Sequence, residues 1–176
     1  MFVRSALVGL CVVALAFCAN VQKFAPNSDW ETCFGFIQND PKTDQFGFVS
    51  LEECSERAKT LKMGGKICTG PFDNVSPKPK KGADLLPGQS CDDLVCPPKT
   101  HYCVRGMVAV CCNKENEKLK EQGLAEKCPD GKKAAGIGKG ADFKAIVGKT
   151  CDDLMCGKSE KCVQVNKYFA KCCAAK

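Results

Sequence analysis

The chain has 176 residues, a formal charge of +6, one histidine and sixteen cysteines. Its lysines are scattered, with Lys78, Lys80, Lys81 and the pair Lys132, Lys133 as the only clusters and no aromatics between them. That pattern is a solvated surface rather than a nucleic-acid footprint. Large apolar side chains are too sparse for one big core, so cross-links must supply much of the stability, each about 2–4 kcal/mol.

Residues 1–19, MFVRSALVGLCVVALAFCA, have a cationic start at Arg4, an apolar run and a small-residue end. They read as a secretory signal peptide, cleaved between residues 17 and 20. No later segment approaches the roughly 20 apolar residues of a membrane helix, so no membrane anchor is expected. The expected product is secreted and extracellular. Loss of the leader removes Cys11 and Cys18 and leaves fourteen cysteines. In an oxidising compartment an even set at this density reads as a disulfide scaffold.

Residues 20–67 form the first segment, and their two cysteines, Cys33 and Cys54, make one pair. The stretch LEECSERAKTLKMGG is predicted as a helix. Ser50 and Glu53 form a capping box, Leu51, Cys54, Ala58 and Leu61 share a face, and Gly64-Gly65 stops it. Next, TGPFDNVSPKPKKG reads as an exposed linker, and its Asn74-Val75-Ser76 is a glycosylation sequon weakened by Pro77.

Self-comparison then shows a repeat. Twenty-two residues separate Cys68 from Cys91, and 22 separate Cys128 from Cys151. The first copy, 68–112, continues Cys91-x4-Cys96-x6-Cys103-x7-Cys111-Cys112. The second, 128–176, continues Cys151-x4-Cys156-x5-Cys162-x9-Cys172-Cys173. Both carry Lys-Gly-Ala-Asp upstream, at 81–84 and 139–142, and both enter the cluster with Cys-Asp-Asp-Leu. Six cysteines allow fifteen pairings. Adjacent cysteines rarely bond each other, so Cys111 and Cys112 are expected to reach different partners. Short strands are predicted at Met107-Val108-Ala109-Val110 and Tyr168-Phe169-Ala170. The aspartate pairs, Asp92-Asp93 and Asp152-Asp153, suit turns or helix starts. Between the copies, residues 113–127 read as a charged helical linker, capped by Asn113 and ended by Gly123.

The stretch CFGFIQNDPKTDQFGFVSLEEC resembles the second half of a Kunitz-type domain. The spacing of Cys33 and Cys54, the aromatics Phe36 and Phe48, and the polar helix start at Ser50 with Glu52-Glu53 carry the resemblance. It departs at Asn39-Asp40-Pro41, where the family keeps Gly-Gly-Cys, and at Ala58, where it keeps a cysteine. The family's inhibitory loop falls at Ala16–Ala19, on the cleavage site, so no reactive loop is expected there. The whole arrangement is similar to divergent Kunitz-type secreted proteins of nematodes, in which such a segment joins cysteine clusters ending in Cys-Cys. That resemblance implies serine-protease regulation and cuticle formation at moulting. The expected fold is small and disulfide-rich: a degenerate Kunitz-like α+β segment, then two homologous six-cysteine modules with short strands and little regular structure.

Enzyme chemistry lacks its motifs: there is no Gly-x-Ser-x-Gly, phosphate loop or His-Glu-x-x-His. His101 reads as a surface residue in a short loop rather than as a general base. Cys91, Cys96 and Cys103 have tolerable zinc spacing, but export favours bridges. The aspartate pairs lack the alternation of a calcium loop. No metal or cofactor is expected. Arg105-Gly106, between Cys103 and Cys111, and Lys167, between Cys162 and Cys172, are the candidate protease-contact positions. A basic residue on a disulfide-clamped loop is bait for trypsin-like enzymes, because a pre-ordered loop loses little entropy on binding. The expected function is non-enzymatic regulation of extracellular serine proteases, with a serine protease or a matrix protein as partner. The alternatives are a structural or interaction module of the extracellular matrix and a host-defence protein.

Overall fold

In a computed structural model, residues 20–39, 46–60, 67–81, 90–106 and 109–176 are described. The expected leader, the helix stop at Leu61 and Gly64-Gly65, Gly82-Ala83-Asp84 and Met107-Val108 lie outside them. The elements, in chain order, are β1 (Val21–Asn27), β2 (Thr32–Gln38), α1 (Leu51–Thr60), β3 (Lys78–Pro79), β4 (Leu94–Val95), β5 (His101–Val104) and β6 (Val110–Asn113). They continue with α2 (Lys114–Leu124), β7 (Gly136–Ile137), β8 (Lys144–Ala145), β9 (Val147–Gly148), β10 (Glu160–Asn166) and β11 (Phe169–Ala174). The protein is small and disulfide-rich, with few helices and short strands.

The first hairpin turns at Asn27, whose side-chain carbonyl accepts from the N–H groups of Asp29 and Trp30, each at 3.1 Å. This satisfies the turn locally, as asparagine does in such turns. Pairing then runs from Asn27 opposite Thr32 to Val21 opposite Gln38. On α1, the Ser50 hydroxyl accepts from the Glu53 N–H at 3.1 Å, as an N-cap should. The buried face of α1, Leu51 and Cys54, meets Phe24 and Cys33, and Ala58 packs against that cluster. The bridge Cys33–Cys54 joins β2 to α1.

This hairpin does not stand apart from the last third of the chain. One five-stranded sheet has the order β1-β2-β9-β11-β10. The two-residue strand β9 pairs parallel with β2, Phe34 opposite Val147, and antiparallel with β11. The N-terminal segment and the second cysteine cluster are therefore neighbours in one sheet. Their core contains Trp30, Leu119, Ala145, Val147 and Phe169, with Phe34, Phe72, Leu124, Phe143 and Tyr168 packed around it. The Phe169 ring meets Trp30 edge-on at 4.9 Å and Phe34 edge-on at 5.2 Å, the geometry aromatic pairs favour.

Two stretches expected as linkers are pinned into this packing. Helix α2 begins where predicted, with the Asn113 side chain accepting from the Glu115 N–H at 2.9 Å. It is not a solvated connector, because Asn116, Leu119 and Gly123 are buried. Nor does Gly123 end it. The helix runs to Leu124, and glycine at 123 serves close approach instead: a Cβ there would lie 2.3 Å from the Phe169 ring. The segment 69–81 is mostly exposed but tethered. Val75 and Cys111 exchange backbone hydrogen bonds of 3.2 and 3.1 Å. The Asn116 side chain accepts from the Phe72 N–H at 3.1 Å and donates to the Phe72 carbonyl at 3.0 Å. Gly70, at φ 90°, lies so close to Asn116 that no side chain would fit.

Gly123→Ala separates propensity from packing. Helix propensity alone favours alanine by about 1 kcal/mol. The Phe169 ring is fully buried and cannot retreat, so the expected result is a net loss of about 1–3 kcal/mol in urea unfolding.

Candidate functional site

The two cysteine clusters are tied in the same pattern. In the first, Cys68 bonds Cys112, Cys91 bonds Cys103 and Cys96 bonds Cys111. In the second, Cys128 bonds Cys173, Cys151 bonds Cys162 and Cys156 bonds Cys172. In each cluster the first cysteine reaches the last, the second the fourth and the third the fifth. Each adjacent pair is thus split between two partners. Every cysteine from Cys33 onward is oxidised in these seven bridges, so none is free as a nucleophile or thiolate ligand.

The hairpins that carry the candidate basic residues differ. In the first cluster β5 and β6 are four residues each, with Cys103 opposite Cys111. Arg105 and Gly106 follow β5 directly, and both are exposed. Two bridges reach this hairpin from one short segment, Cys91 to Cys103 and Cys96 to Cys111. In the second cluster the strands are longer and almost meet, leaving only Lys167 and Tyr168 between β10 and β11. There Asn166 accepts from the Tyr168 N–H at 3.0 Å. The Lys167 ammonium lies 4.7 Å from the Phe72 ring centre and 4.8 Å from that of Tyr168. Such a contact holds the cation against the protein's own aromatics. The structure therefore leaves Arg105 presented and Lys167 partly committed to packing.

The remaining candidates have structural surroundings. His101 is buried, not on the surface as its flanking residues suggested. One ring nitrogen, Nδ1, lies 2.8 Å from the Thr100 hydroxyl and the other, Nε2, 3.2 Å from the Asp73 carbonyl. Nε2 faces an oxygen that only accepts, so it donates there. Both nitrogens are thus occupied, and Nε2 holds the segment around Asp73 to β5. Asp153 accepts from the Thr150 backbone and hydroxyl at 2.7 and 3.0 Å, closing a capping box on the short turn Cys151–Asp153. Asp92 donates its N–H to Ser90 at 2.9 Å. These are the turn roles aspartate pairs suit. Asn74 is exposed, and its side-chain oxygen accepts from the Asn113 N–H at 3.3 Å.

One cation of evident importance escaped sequence reading. Lys171 sits among apolar residues in Phe-Ala-Lys-Cys-Cys and is fully buried. Its ammonium donates to the carbonyls of Gln122, Ala125 and Lys127 at 3.1, 2.9 and 3.0 Å. It caps the C-terminus of α2, where the helix leaves acceptors unpaired and favours positive charge. Burial pushes its pKa down to about 8. Its one sequence clue is a charge interrupting an otherwise buried strand. A clue of this kind does not say whether the ammonium is paired or where it reaches.

Comparison with known proteins gives one likeness. The chain is 28% identical over 137 residues to the major allergen Ani s 1 of Anisakis simplex, covering 73% of this chain and 68% of that protein. No family model and no solved structure matches. Among the described residues, no helix is long and apolar enough to cross a membrane. The bridges and the likeness to a nematode allergen are consistent with an extracellular, cysteine-rich protein.

Lys171 makes stability depend on pH in a definite direction. The unfolded chain holds this proton up to about 10.5, the folded chain only to about 8. Below pH 8 both states are charged and the folded state bears the cost of burial. Between pH 8 and 10.5 the unfolded state binds more protons, so stability rises with pH. Urea unfolding across this window should show the wild type gaining on Lys171→Met. At neutral pH, Lys171→Met leaves three carbonyls unpaired and should cost about 1–3 kcal/mol.

Proposed function

We propose that this chain is a secreted, non-enzymatic protein that regulates extracellular serine proteases in matrix or cuticle remodelling. The Kunitz-like spacing of residues 33–54, joined to two homologous six-cysteine clusters, supports the class. The observation that carries the reading is Arg105, exposed beside a hairpin whose two strands are both bridged to the Cys91–Cys96 segment. A basic side chain on a stem held this tightly reaches a protease pocket with little ordering left to do. Catalysis by the chain itself has little to draw on, with the described cysteines oxidised and His101 occupied on both ring nitrogens.

The test is a titration of trypsin-like and chymotrypsin-like proteases with the oxidised protein. Modulation of a trypsin-like enzyme, lost on Arg105→Ala while unfolding stability changes by less than about 0.5 kcal/mol, is the expected result. No effect on any protease, together with retention in insoluble matrix, overturns it in favour of a structural matrix protein.

A further inference from the structure

The bridging of the first cluster decides what a cut beside Arg105 would do. Cys103, two residues before Arg105, is bonded to Cys91, and Cys111, across the hairpin, is bonded to Cys96. Cys103 and Cys111 also face each other in the β5–β6 register. Both strands are thus fastened to one segment only four residues longer than its two cysteines. Cys68–Cys112 adds a second covalent link across any cut between Arg105 and Ala109. Away from the hairpin, β1 and β2 come from before such a cut and β9, β10 and β11 from after it, yet all five share one sheet.

We propose that Arg105–Gly106 is the bond recognised by serine proteases with an acidic specificity pocket, and that cutting it leaves one folded, covalently joined molecule. The inference rests on the protease-facing reading of this loop and adds the bond, the class of enzyme and the fate of the product. A guanidinium fits a carboxylate at the base of a pocket through paired hydrogen bonds. Gly106 places no side chain on the far side of the bond.

The protease serine oxygen attacks the Arg105 carbonyl carbon, and the bond to the Gly106 nitrogen breaks. That nitrogen takes the proton removed from the serine and leaves as an amine. Water then accepts the acyl group, giving an Arg105 carboxylate and restoring the serine hydroxyl. In a free peptide the amine diffuses away. Here it is held through Cys111 and Cys112, at a high effective concentration beside the acyl group. Return of the amine to re-form the bond therefore competes with water, and net hydrolysis is slow while the protease stays occupied. The second cluster offers no equivalent, because Lys167 stands in a tight turn over the rings of Phe72 and Tyr168.

The test incubates the oxidised protein with trypsin and follows intact mass before and after reduction, beside residual protease activity. The expected first event is gain of one water with no fragment released. Reduction then yields two pieces, one ending at Arg105 and one beginning at Gly106. Arg105→Ala should slow that first cut on the order of 100-fold or more. Cut and inhibition together uphold both this inference and the regulatory reading. A tethered cut at this bond without inhibition upholds the site and removes the regulatory reading. Inhibition that survives Arg105→Ala, or a first cut elsewhere, overturns the inference and leaves that reading standing. A fragment released before reduction overturns the tether. Neither cut nor inhibition overturns both.

Discussion

Phe169 is the point on which the rest of the structure closes. Its fully buried ring touches Trp30 and Phe34 from the first hairpin and lies against Gly123 of α2. Three stretches far apart in sequence therefore share one small core. In a chain so poor in large apolar residues, a few aromatics must do what dozens of aliphatics do in a larger domain. The two-residue strand β9 completes the arrangement by seating Val147 between β2 and β11. Without that spacer the two hairpins would have no backbone contact in the sheet.

Around this core, polar side chains hold distant backbone. Gln22 donates to the Asp153 carbonyl at 3.0 Å and accepts from the Met155 N–H at 2.6 Å, tying β1 to the second cluster. Asn116 clasps Phe72 by both backbone groups, and Lys171 closes the end of α2. Asn166 donates to the Leu119 carbonyl at 3.1 Å. Short strands leave many peptide groups without ladder partners, and buried peptide groups must be paired. In this fold side chains supply part of what longer sheets would provide. The bridges then confine the unfolded chain, so the modest core is enough.

The division of labour between the two clusters follows from loop length. Nine residues between Cys162 and Cys172 let β10 and β11 grow until only Lys167 and Tyr168 remain between them. The second hairpin is drawn into the central sheet, and its basic residue lies over Phe72 and Tyr168. Seven residues between Cys103 and Cys111 give a shorter hairpin in its own two-stranded sheet, with Arg105 left outside. The same bridging pattern thus serves packing in one copy and presentation in the other.

Local signals explain what could be read without coordinates. The Ser50 cap, the Asn113 cap and the turn chemistry of Asp153 depend on neighbours within a few residues, and so does the repeat itself. The adjacency of Cys111 to Cys112 disfavours a bond between them through peptide geometry alone. Which partners they take depends on strand register, and no spacing states that. The same limit hid the roles of Gly123, His101 and Lys171. Glycine after a charged helix looks like a stop until a ring from residue 169 arrives above it. A histidine between Thr100 and Tyr102 looks exposed until the Asp73 carbonyl covers it. A lysine in a strand looks like surface until the carbonyls after residue 121 surround it. Sequence by itself determined the cysteine-rich, bridged character, the repeat and the local caps, because these rest on composition and short-range geometry. Tertiary structure alone decided that the supposed linkers are tied to the core through Phe72, Asn116 and Leu119 and that Lys167, though exposed, lies over the Phe72 ring, because both depend on contacts between residues tens of positions apart.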